Sequence, residues 1–138
     1  MVLAAVEVIP VKRLAVMAAV SLLLAAPASA GDTKKRETNY QKAHRIVCTV
    51  FPKATCEAAM RVVYCETGGT YTEWSYNRSG ASGYFQVLQG NAGRVLYYKG
   101  ERLVIPSGTR LFLPWTNARV ALFLSNGGTD WSEWVCKP

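Results

Sequence analysis

The chain has 138 residues, of which 50% are hydrophobic, and carries 16 Lys and Arg residues against nine Asp and Glu residues. Its length excludes more than one domain of ordinary size. The net charge of +7 favours contact with anionic surfaces, of which nucleic acid, acidic lipid and bacterial cell wall are the main classes, but it is equally compatible with plain solubility.

The first thirty residues have the features of a cleaved signal peptide. Lys12 and Arg13 precede an apolar run at residues 14–26, and Ala-Ser-Ala at residues 28–30 matches a signal-peptidase site. The run of 13 residues is shorter than the roughly 20 that cross a bilayer, so a membrane anchor is the weaker alternative. We therefore expect secretion, with no stable membrane insertion after cleavage. Because Lys12 and Arg13 lie unusually far from Met1 for a signal peptide, a translation start near Val11 is an alternative.

The rest of the chain, residues 31–138, carries 14 basic and 8 acidic residues. Residues 31–39 are polar and charged, which is typical of a leader or linker, and we expect a single domain over residues 40–138. All four cysteines lie in this part, and an even number behind a signal peptide indicates disulfide bonds. They are Cys48, Cys56, Cys65 and Cys136.

Two helices are predicted at the start of the domain. Residues 40–51 carry apolar side chains at helical spacing, and the helix should end before Pro52. Thr55 is a candidate cap for a second helix that runs to about Glu66, where two glycines stop it.

The remainder is more irregular. Residues 70–83 are polar and glycine-rich, which favours a loop or short hairpin, and residues 84–93 are predicted to begin another helix. Residues 97–113 contain glycines, a proline and alternating apolar side chains, typical of an irregular excursion or hairpin. Residues 115–125 predict a helix, and residues 131–136 a short terminal turn.

The position of Glu66 is the most informative feature of this pattern. Ala59, Val62, Val63 and Glu66 are spaced as one face of a helix, so the carboxyl group continues an apolar face. Burial and the negative end of the helix dipole should both raise its pKa. A carboxyl group protonated near neutral pH can act as a general acid on a glycosidic bond. The alternative is a Glu that extends into solvent beside the helix end.

Aromatic residues follow Glu66 at high density. Trp74 and Tyr76 lie in the polar loop, where they are candidates to pack on sugar rings, with filling of the core as the alternative. For Phe85 the core is the preferred interpretation. The others in this group are Tyr71, Tyr84, Tyr97 and Tyr98.

Other chemistries are poorly supported. His44 is the single histidine, so a Ser-His-Asp or Cys-His pair is not convincing. His44 and Cys48 have a spacing that could hold a metal, but one histidine in an oxidising compartment makes a disulfide the better interpretation. The glycines at residues 80 and 83 have no following Lys and do not form a phosphate loop. We expect neither a metal nor a cofactor.

Several segments together resemble the core of bacterial lytic transglycosylase-like domains. Residues 65–69 are Cys-Glu-Thr-Gly-Gly, similar to Cys-Glu-Ser-Gly-Gly in these domains. Residues 77–86 are Asn-Arg-Ser-Gly-Ala-Ser-Gly-Tyr-Phe-Gln, similar to Asn-x-Ser-Gly-Ala-x-Gly-Leu-Phe-Gln. Asn-Ala at residues 117–118 and Trp-Ser-x-Trp-x-Cys-Lys at residues 131–137 resemble the end of the small secreted members. The resemblance covers residues 40–138 and extends to resuscitation-promoting factors, which have a similar plan.

The resemblance implies a mainly α-helical, α+β lysozyme-like fold: a small disulfide-stapled domain with two lobes around a glycan groove. Glu66 matches the catalytic Glu, and Gln86 matches a Gln that lines the groove. Tyr84 takes the place of the Leu beside it, and Asn117 matches a groove-side Asn. Thr67 replaces the usual Ser but keeps a hydroxyl group. The predicted substrate-binding residues are therefore Thr67, Trp74, Tyr76, Tyr84, Gln86 and Asn117. The stretch at residues 100–114 is longer than the corresponding stretch of the small members, and we expect it to extend or partly cover the groove.

Four cysteines allow three disulfide pairings. Cys56 and Cys65 would be about 13 Å apart along one continuous helix, whereas a disulfide needs Cα atoms within about 7 Å, so two pairings remain. The preferred scheme joins Cys48 to Cys56 across the predicted turn and Cys65 to Cys136. The second of these bridges is the one that the resemblance implies.

The resemblance also implies a secreted, cell-wall-associated enzyme whose partner is the glycan strands of peptidoglycan. We expect non-hydrolytic cleavage of the β-1,4 bond between N-acetylmuramic acid and N-acetylglucosamine, giving 1,6-anhydro ends with Glu66 as sole acid and base. Glu73 is the nearest second carboxylate, and its participation would give a lysozyme-type hydrolase instead. A weakly catalytic wall-binding module is a further alternative. We expect a monomer with no nucleic-acid partner. A cationic antimicrobial protein or a nucleic-acid binder is a further alternative, but charge is the only feature that supports it.

Overall fold

The computed structural model describes residues 35–138. The signal peptide predicted for residues 1–30, and the first part of the leader predicted for residues 31–39, lie outside the described residues. Within residues 35–138, every helix is too short or too polar to cross a membrane.

Three α-helices form the larger part of the structure. They are α1 (Asn39–Val50), α2 (Cys56–Glu66) and α3 (Pro114–Leu124). Helix α1 packs against both of the others. Their predicted positions are therefore confirmed to within one or two residues.

The helix ends depend on local chemistry that the sequence signals only in part. Thr38 and Gln41 form a capping box at the start of α1, with the backbone N–H of Gln41 3.2 Å from the Thr38 hydroxyl. Thr55 is the N-cap residue of α2, as predicted, but its side chain makes no capping hydrogen bond, because its hydroxyl donates to the carbonyl of Gly127 at 2.8 Å. This bond fixes the start of α2 to the turn that follows α3.

Two short antiparallel sheets complete the domain. In the first, β1 (Ala81–Ser82) pairs with β2 (Val87–Leu88), and in the second, β3 (Val95–Tyr98) pairs with β4 (Glu101–Val104). The second pair is a hairpin whose two connecting residues, Lys99 and Gly100, both have positive φ (48° and 79°). Such a turn matches the twist of the strands, and it confirms the hairpin alternative for this region.

The prediction of a mainly α-helical, lysozyme-like fold is wrong. About 40% of the structure is helical and 12% is strand, arranged in two small sheets, so the domain is a mixture of α and β. The helix predicted from residue 84 is absent, because Gln86 has a left-handed φ of 46° that cannot continue a helix. The chain instead enters β2 and then a single 3₁₀ turn at Gln89–Asn91.

The core lies where the three helices meet the C-terminal segment. Phe51, Phe85 and Trp131 stack on one another with ring centroids 5.5 to 6.1 Å apart. Trp134 donates its indole N–H to the carbonyl of Phe85 at 2.7 Å. Trp131 and Trp134 of the C-terminal segment, residues 131–136, are therefore part of the core.

Two disulfides join these elements. Cys48–Cys56 connects α1 to the first residue of α2, and Cys65–Cys136 connects the end of α2 to the C-terminal segment. The preferred pairing is confirmed. The second bridge brings the C-terminal segment beside Glu66, which follows Cys65 directly.

Candidate active site

Glu66 is the last residue of α2 and is half-buried. The face that precedes it is buried at Ala59, Val62 and Val63, as the spacing predicts. Burial raises the pKa of the Glu66 carboxyl above its usual value, while a hydrogen bond from the backbone N–H of Cys136 lowers it in part. No ion pair to Glu66 is present within residues 35–138. The carboxyl group therefore holds its proton to a higher pH than an ordinary Glu.

Thr67 stabilises the end of α2. Its hydroxyl donates to the carbonyl of Val63 at 2.7 Å and accepts from the backbone N–H of Tyr71 at 3.0 Å. With only 6% of the residue exposed, these contacts occupy the hydroxyl inside the protein. The predicted substrate-binding residue thus anchors the loop that begins immediately after Glu66.

Glu73 differs from Glu66 in having a cation beside it. Only 15% of its side chain is exposed, and it forms an ion pair with Lys42 of α1. Burial acts to raise the pKa of Glu73, but the hydrogen bond from Lys42, a hydrogen bond from its own backbone N–H and the positive charge of Lys42 together lower the pKa overall. Glu73 is therefore an ionised group that fastens the loop to α1.

Tyr84 is fully buried, and its hydroxyl has no hydrogen-bond partner within the described residues. Burial, followed by the negative charge of Glu73, raises the pKa of Tyr84. Its side chain fills the core below the loop, so a direct contact with substrate would need the loop to move.

Trp74 and Tyr76 are brought together by a third residue. Trp74 stacks on Phe112 with ring centroids 6.0 Å apart, and Tyr76 is tilted against the same ring at 6.1 Å. Both remain exposed, at 68% and 62%. We call these three residues the aromatic platform. Exposed rings of this kind are suited to the apolar faces of sugars.

Phe112 was not predicted as a site residue. It lies at the end of the 3₁₀ turn Gly108–Phe112, in the stretch that the sequence identifies only as unusually long. No local pattern marks it, because its contact with Trp74 joins residues that are far apart in sequence. The stretch therefore contributes a ring to the exposed surface beside the loop.

Asn117 lies fully buried on α3 and holds the loop from below. Its side-chain oxygen accepts from the backbone N–H of Phe85, and its amide nitrogen donates to the carbonyls of Ser82 and Leu111, each at 2.8 Å. A side chain at Gly83 would come within 2.4 Å of this amide, which explains the glycine at that position. Asn117 is thus a positioning residue, and its polar atoms are used within the protein.

Gln86 has a similar role with one difference. Its amide nitrogen donates to the carbonyls of Ser75 and Gly83, each at 2.9 Å, and these bonds hold its left-handed backbone. Its amide oxygen accepts no hydrogen bond within residues 35–138. Gln86 therefore keeps one acceptor that a ligand can use.

A group of potential metal ligands lies between α1 and α2. The donor atoms of His44, Cys48, Cys56 and Glu57 lie within 4.8 Å of one another. Because the two sulfur atoms are joined in a disulfide, only the imidazole and the carboxylate remain as free donors. Two donors do not make a metal site of the usual three or four protein ligands.

A cavity of about 410 Å³ lies away from these residues, between the β3–β4 hairpin and α3. Its lining does not include Glu66 or the aromatic platform. We base the candidate site on Glu66, the aromatic platform and Gln86.

Comparison with protein-family models, with curated proteins and with solved structures gives no match.

Proposed function

We propose that this protein is a secreted enzyme that cleaves the glycan strands of peptidoglycan, with Glu66 as its general acid. The observation that carries the proposal is a half-buried carboxyl group with a raised pKa and no ion pair. Such a group keeps its proton to a higher pH than an ordinary Glu and can give it to a leaving glycosidic oxygen. The resemblance of residues 65–69 and 77–86 to lytic transglycosylase-like domains supports the same reaction and substrate.

The aromatic platform supports binding of sugar rings next to a polar loop. Thr67 fixes that loop to the end of α2, so substrate held by Trp74 and Tyr76 would be presented by a loop anchored beside Glu66. The free amide oxygen of Gln86 would accept a hydrogen bond from a sugar hydroxyl or amide. The two disulfides fit a protein that works outside the cell.

We propose a non-hydrolytic outcome, because the side chain of Glu73 is only 15% exposed and its carboxylate is held by Lys42, which limits its access to a sugar or a water. Glu66 donates its proton to the glycosidic oxygen as the bond to C1 of the muramic sugar breaks. The N-acetyl oxygen of that sugar forms a bond to C1 in its place. Glu66, now ionised, accepts the proton of the C6 hydroxyl, whose oxygen displaces the N-acetyl group. The product is a 1,6-anhydro ring, and no water is consumed.

The test compares two matched variants on purified cell walls. Glu66→Gln should abolish the fall in turbidity, whereas Glu73→Gln, the same change seven residues away, should retain it. Mass spectrometry of the released fragments should find anhydromuramic ends, which are lighter than reducing ends by one water. Reducing ends alone, with activity lost in Glu73→Gln, would establish a two-carboxylate hydrolase instead.

A wall-binding module is the second candidate, and the aromatic platform is the observation that favours it. In that case the protein would sediment with walls and release no fragments. This function would be identified if Trp74→Ala protein no longer sedimented with walls, while the walls stayed intact with both the variant and the unmodified protein.

A further inference from the structure

The hairpin and α3 enclose a second surface that the proposed cleavage does not use. The cavity of about 410 Å³ is lined by residues that include Tyr98, Trp115 and Arg119. A neighbouring cavity of about 260 Å³ is lined by residues that include Leu103, Arg110 and again Arg119. Arg119 lines both, and the two cavities follow one another along β4, the first at Glu101 and the second at Leu103 and Val104; together we call them the hairpin groove.

The length of the hairpin groove indicates a polymer. It follows β4 and the residues just after it, and a strand advances about 3.3 Å per residue, so the groove is roughly 15 Å long. One sugar ring or one phosphate group would fill only part of this length. The groove is therefore suited to several successive units of a chain.

The lining combines apolar and basic groups. Trp115 is 47% exposed and offers an indole face, with Leu103 and Tyr98 as further apolar surface. Arg119 donates to Glu101 at 2.9 Å, an exposed pair that leaves most guanidinium donors free. Lys99 and Arg110, at the two ends, form no ion pair within residues 35–138.

Charge is unevenly distributed in this part of the chain. Three basic side chains, Lys99, Arg110 and Arg119, and a single acidic one, Glu101, line the two cavities. Positive groups thus recur along a groove whose floor is apolar. A matching ligand has negative groups at intervals, separated by sugar or polyol units that can pack on Trp115.

We propose that the hairpin groove binds a phosphodiester-linked anionic polymer of the bacterial wall, built from sugar or polyol phosphate units. Arg110, Arg119 and Lys99 contact the phosphates, and Trp115 packs on the carbon skeleton between them. Single-stranded nucleic acid is the less suited phosphodiester chain, because binding it relies on several aromatic rings for successive bases and the groove exposes one indole. The choice of a wall polymer rests on the proposed function, whereas binding in the hairpin groove does not require cleavage by Glu66.

The experiment measures how much Glu66→Gln protein sediments with purified walls. This variant is used so that the walls are not digested during the assay. One batch of walls keeps its phosphodiester-linked polymer, and a second batch is stripped of it with hydrofluoric acid. We expect the first batch to bind about tenfold more tightly than the second at physiological salt. An equal affinity for both batches would overturn the proposal.

Matched variants locate the site. Arg110→Gln with Arg119→Gln should lower the affinity for polymer-bearing walls to that for stripped walls. The control, Lys53→Gln with Arg61→Gln, removes the same charge from exposed positions outside the groove and should change affinity less than about twofold. Trp115→Leu, which keeps all charges, should weaken binding to the same batch. Equal losses in both charge variants would show nonspecific attraction and would contradict the proposal.

Two further measurements distinguish binding of the wall polymer from binding of nucleic acid and from the proposed cleavage. A single-stranded oligonucleotide that competes better than the isolated wall polymer would replace the proposed ligand by nucleic acid. Digestion of stripped walls by the unmodified protein reports the proposed cleavage independently. If digestion fails but polymer binding depends on Arg110 and Arg119, the groove proposal stands and the cleavage proposal does not.

Discussion

Glu66 and Glu73 lie seven residues apart, and both are partly removed from solvent, yet their pKa values move in opposite directions. Glu66 ends a helix with a backbone N–H as its partner, whereas Glu73 lies in the following loop against the ammonium group of Lys42. Burial acts to raise both values, and at Glu73 the hydrogen bond and charge of Lys42, with a hydrogen bond from its own backbone N–H, reverse the direction. One region is thereby equipped to donate a proton, and the other is equipped to hold structure.

The largest effect that this comparison predicts is on activity. Glu66→Gln removes the acid and keeps the shape of the side chain, so wall cleavage should fall by a factor of about 10² to 10⁴. Turbidity of purified walls measures the loss, with circular dichroism to verify folding. Glu73→Gln is the matched control and should keep most of the activity. Normal clearing by folded Glu66→Gln protein would remove Glu66 from the mechanism.

The next effect concerns the disulfide beside Glu66. Replacing Cys65 and Cys136 by Ser should lower the free energy of unfolding by about 2–5 kcal/mol. The bridge spans 71 residues and the Cys48–Cys56 bridge spans 8, so chain entropy makes the first about 2 kcal/mol more stabilising than the second. Urea denaturation of the two double variants measures this difference. A greater loss from the short bridge would show that strain or local packing outweighs chain entropy.

The role assigned to Glu73 predicts a smaller loss of stability. Lys42→Met leaves a largely buried carboxylate without its partner, which should cost about 1–3 kcal/mol at neutral pH. The loss should fade as the pH falls and Glu73 becomes protonated. Arg45→Met is the control, because it breaks an exposed pair with Glu37 and should have little effect. A double variant, Lys42→Met with Glu73→Gln, should recover part of the stability if the unpaired charge is the cause.

Features that depend on neighbouring residues were predictable from the sequence. The helical spacing around Ala59, Val62 and Val63 gave both the helix and the buried side of Glu66, since each contact lies within two turns. The disulfide pairing also followed from local geometry together with the resemblance. The positions of the three helices were also predicted to within one or two residues, because helical spacing is a local pattern.

Features that depend on distant contacts or unusual backbone were missed. Lys42 pairs with Glu73, 31 residues away in sequence, and Phe112 stacks on Trp74, 38 residues away. No pattern in a single sequence links residues at such separations. The helix predicted from residue 84 failed because bonds from the Gln86 side chain hold a left-handed backbone there. Asn117 stays a predicted substrate-binding residue, but the sequence did not reveal that it is fully buried and holds the loop through its amide.

The smallest expected effect is the pH dependence of stability, and here the two carboxyl groups should differ in sign. Burial raises the pKa of Glu66 in the folded chain, so folding favours its protonated form. That contribution is complete below the pKa of the unfolded chain and is lost as the pH rises through the folded pKa. For Glu73 the folded pKa is lowered, so its contribution is present above the unfolded pKa and is lost on acidification.

Thermal unfolding of the unmodified protein, Glu66→Gln and Glu73→Gln between about pH 3 and pH 8 tests these signs. Glu66→Gln cannot ionise, so it should equal the unmodified protein in acid and become the more stable of the two as the pH rises. Glu73→Gln should be the less stable at neutral pH, with the difference shrinking in acid. If both variants moved in the same direction, burial alone would govern the two sites, and the ion pair with Lys42 could not be what separates the raised pKa of Glu66 from the lowered pKa of Glu73.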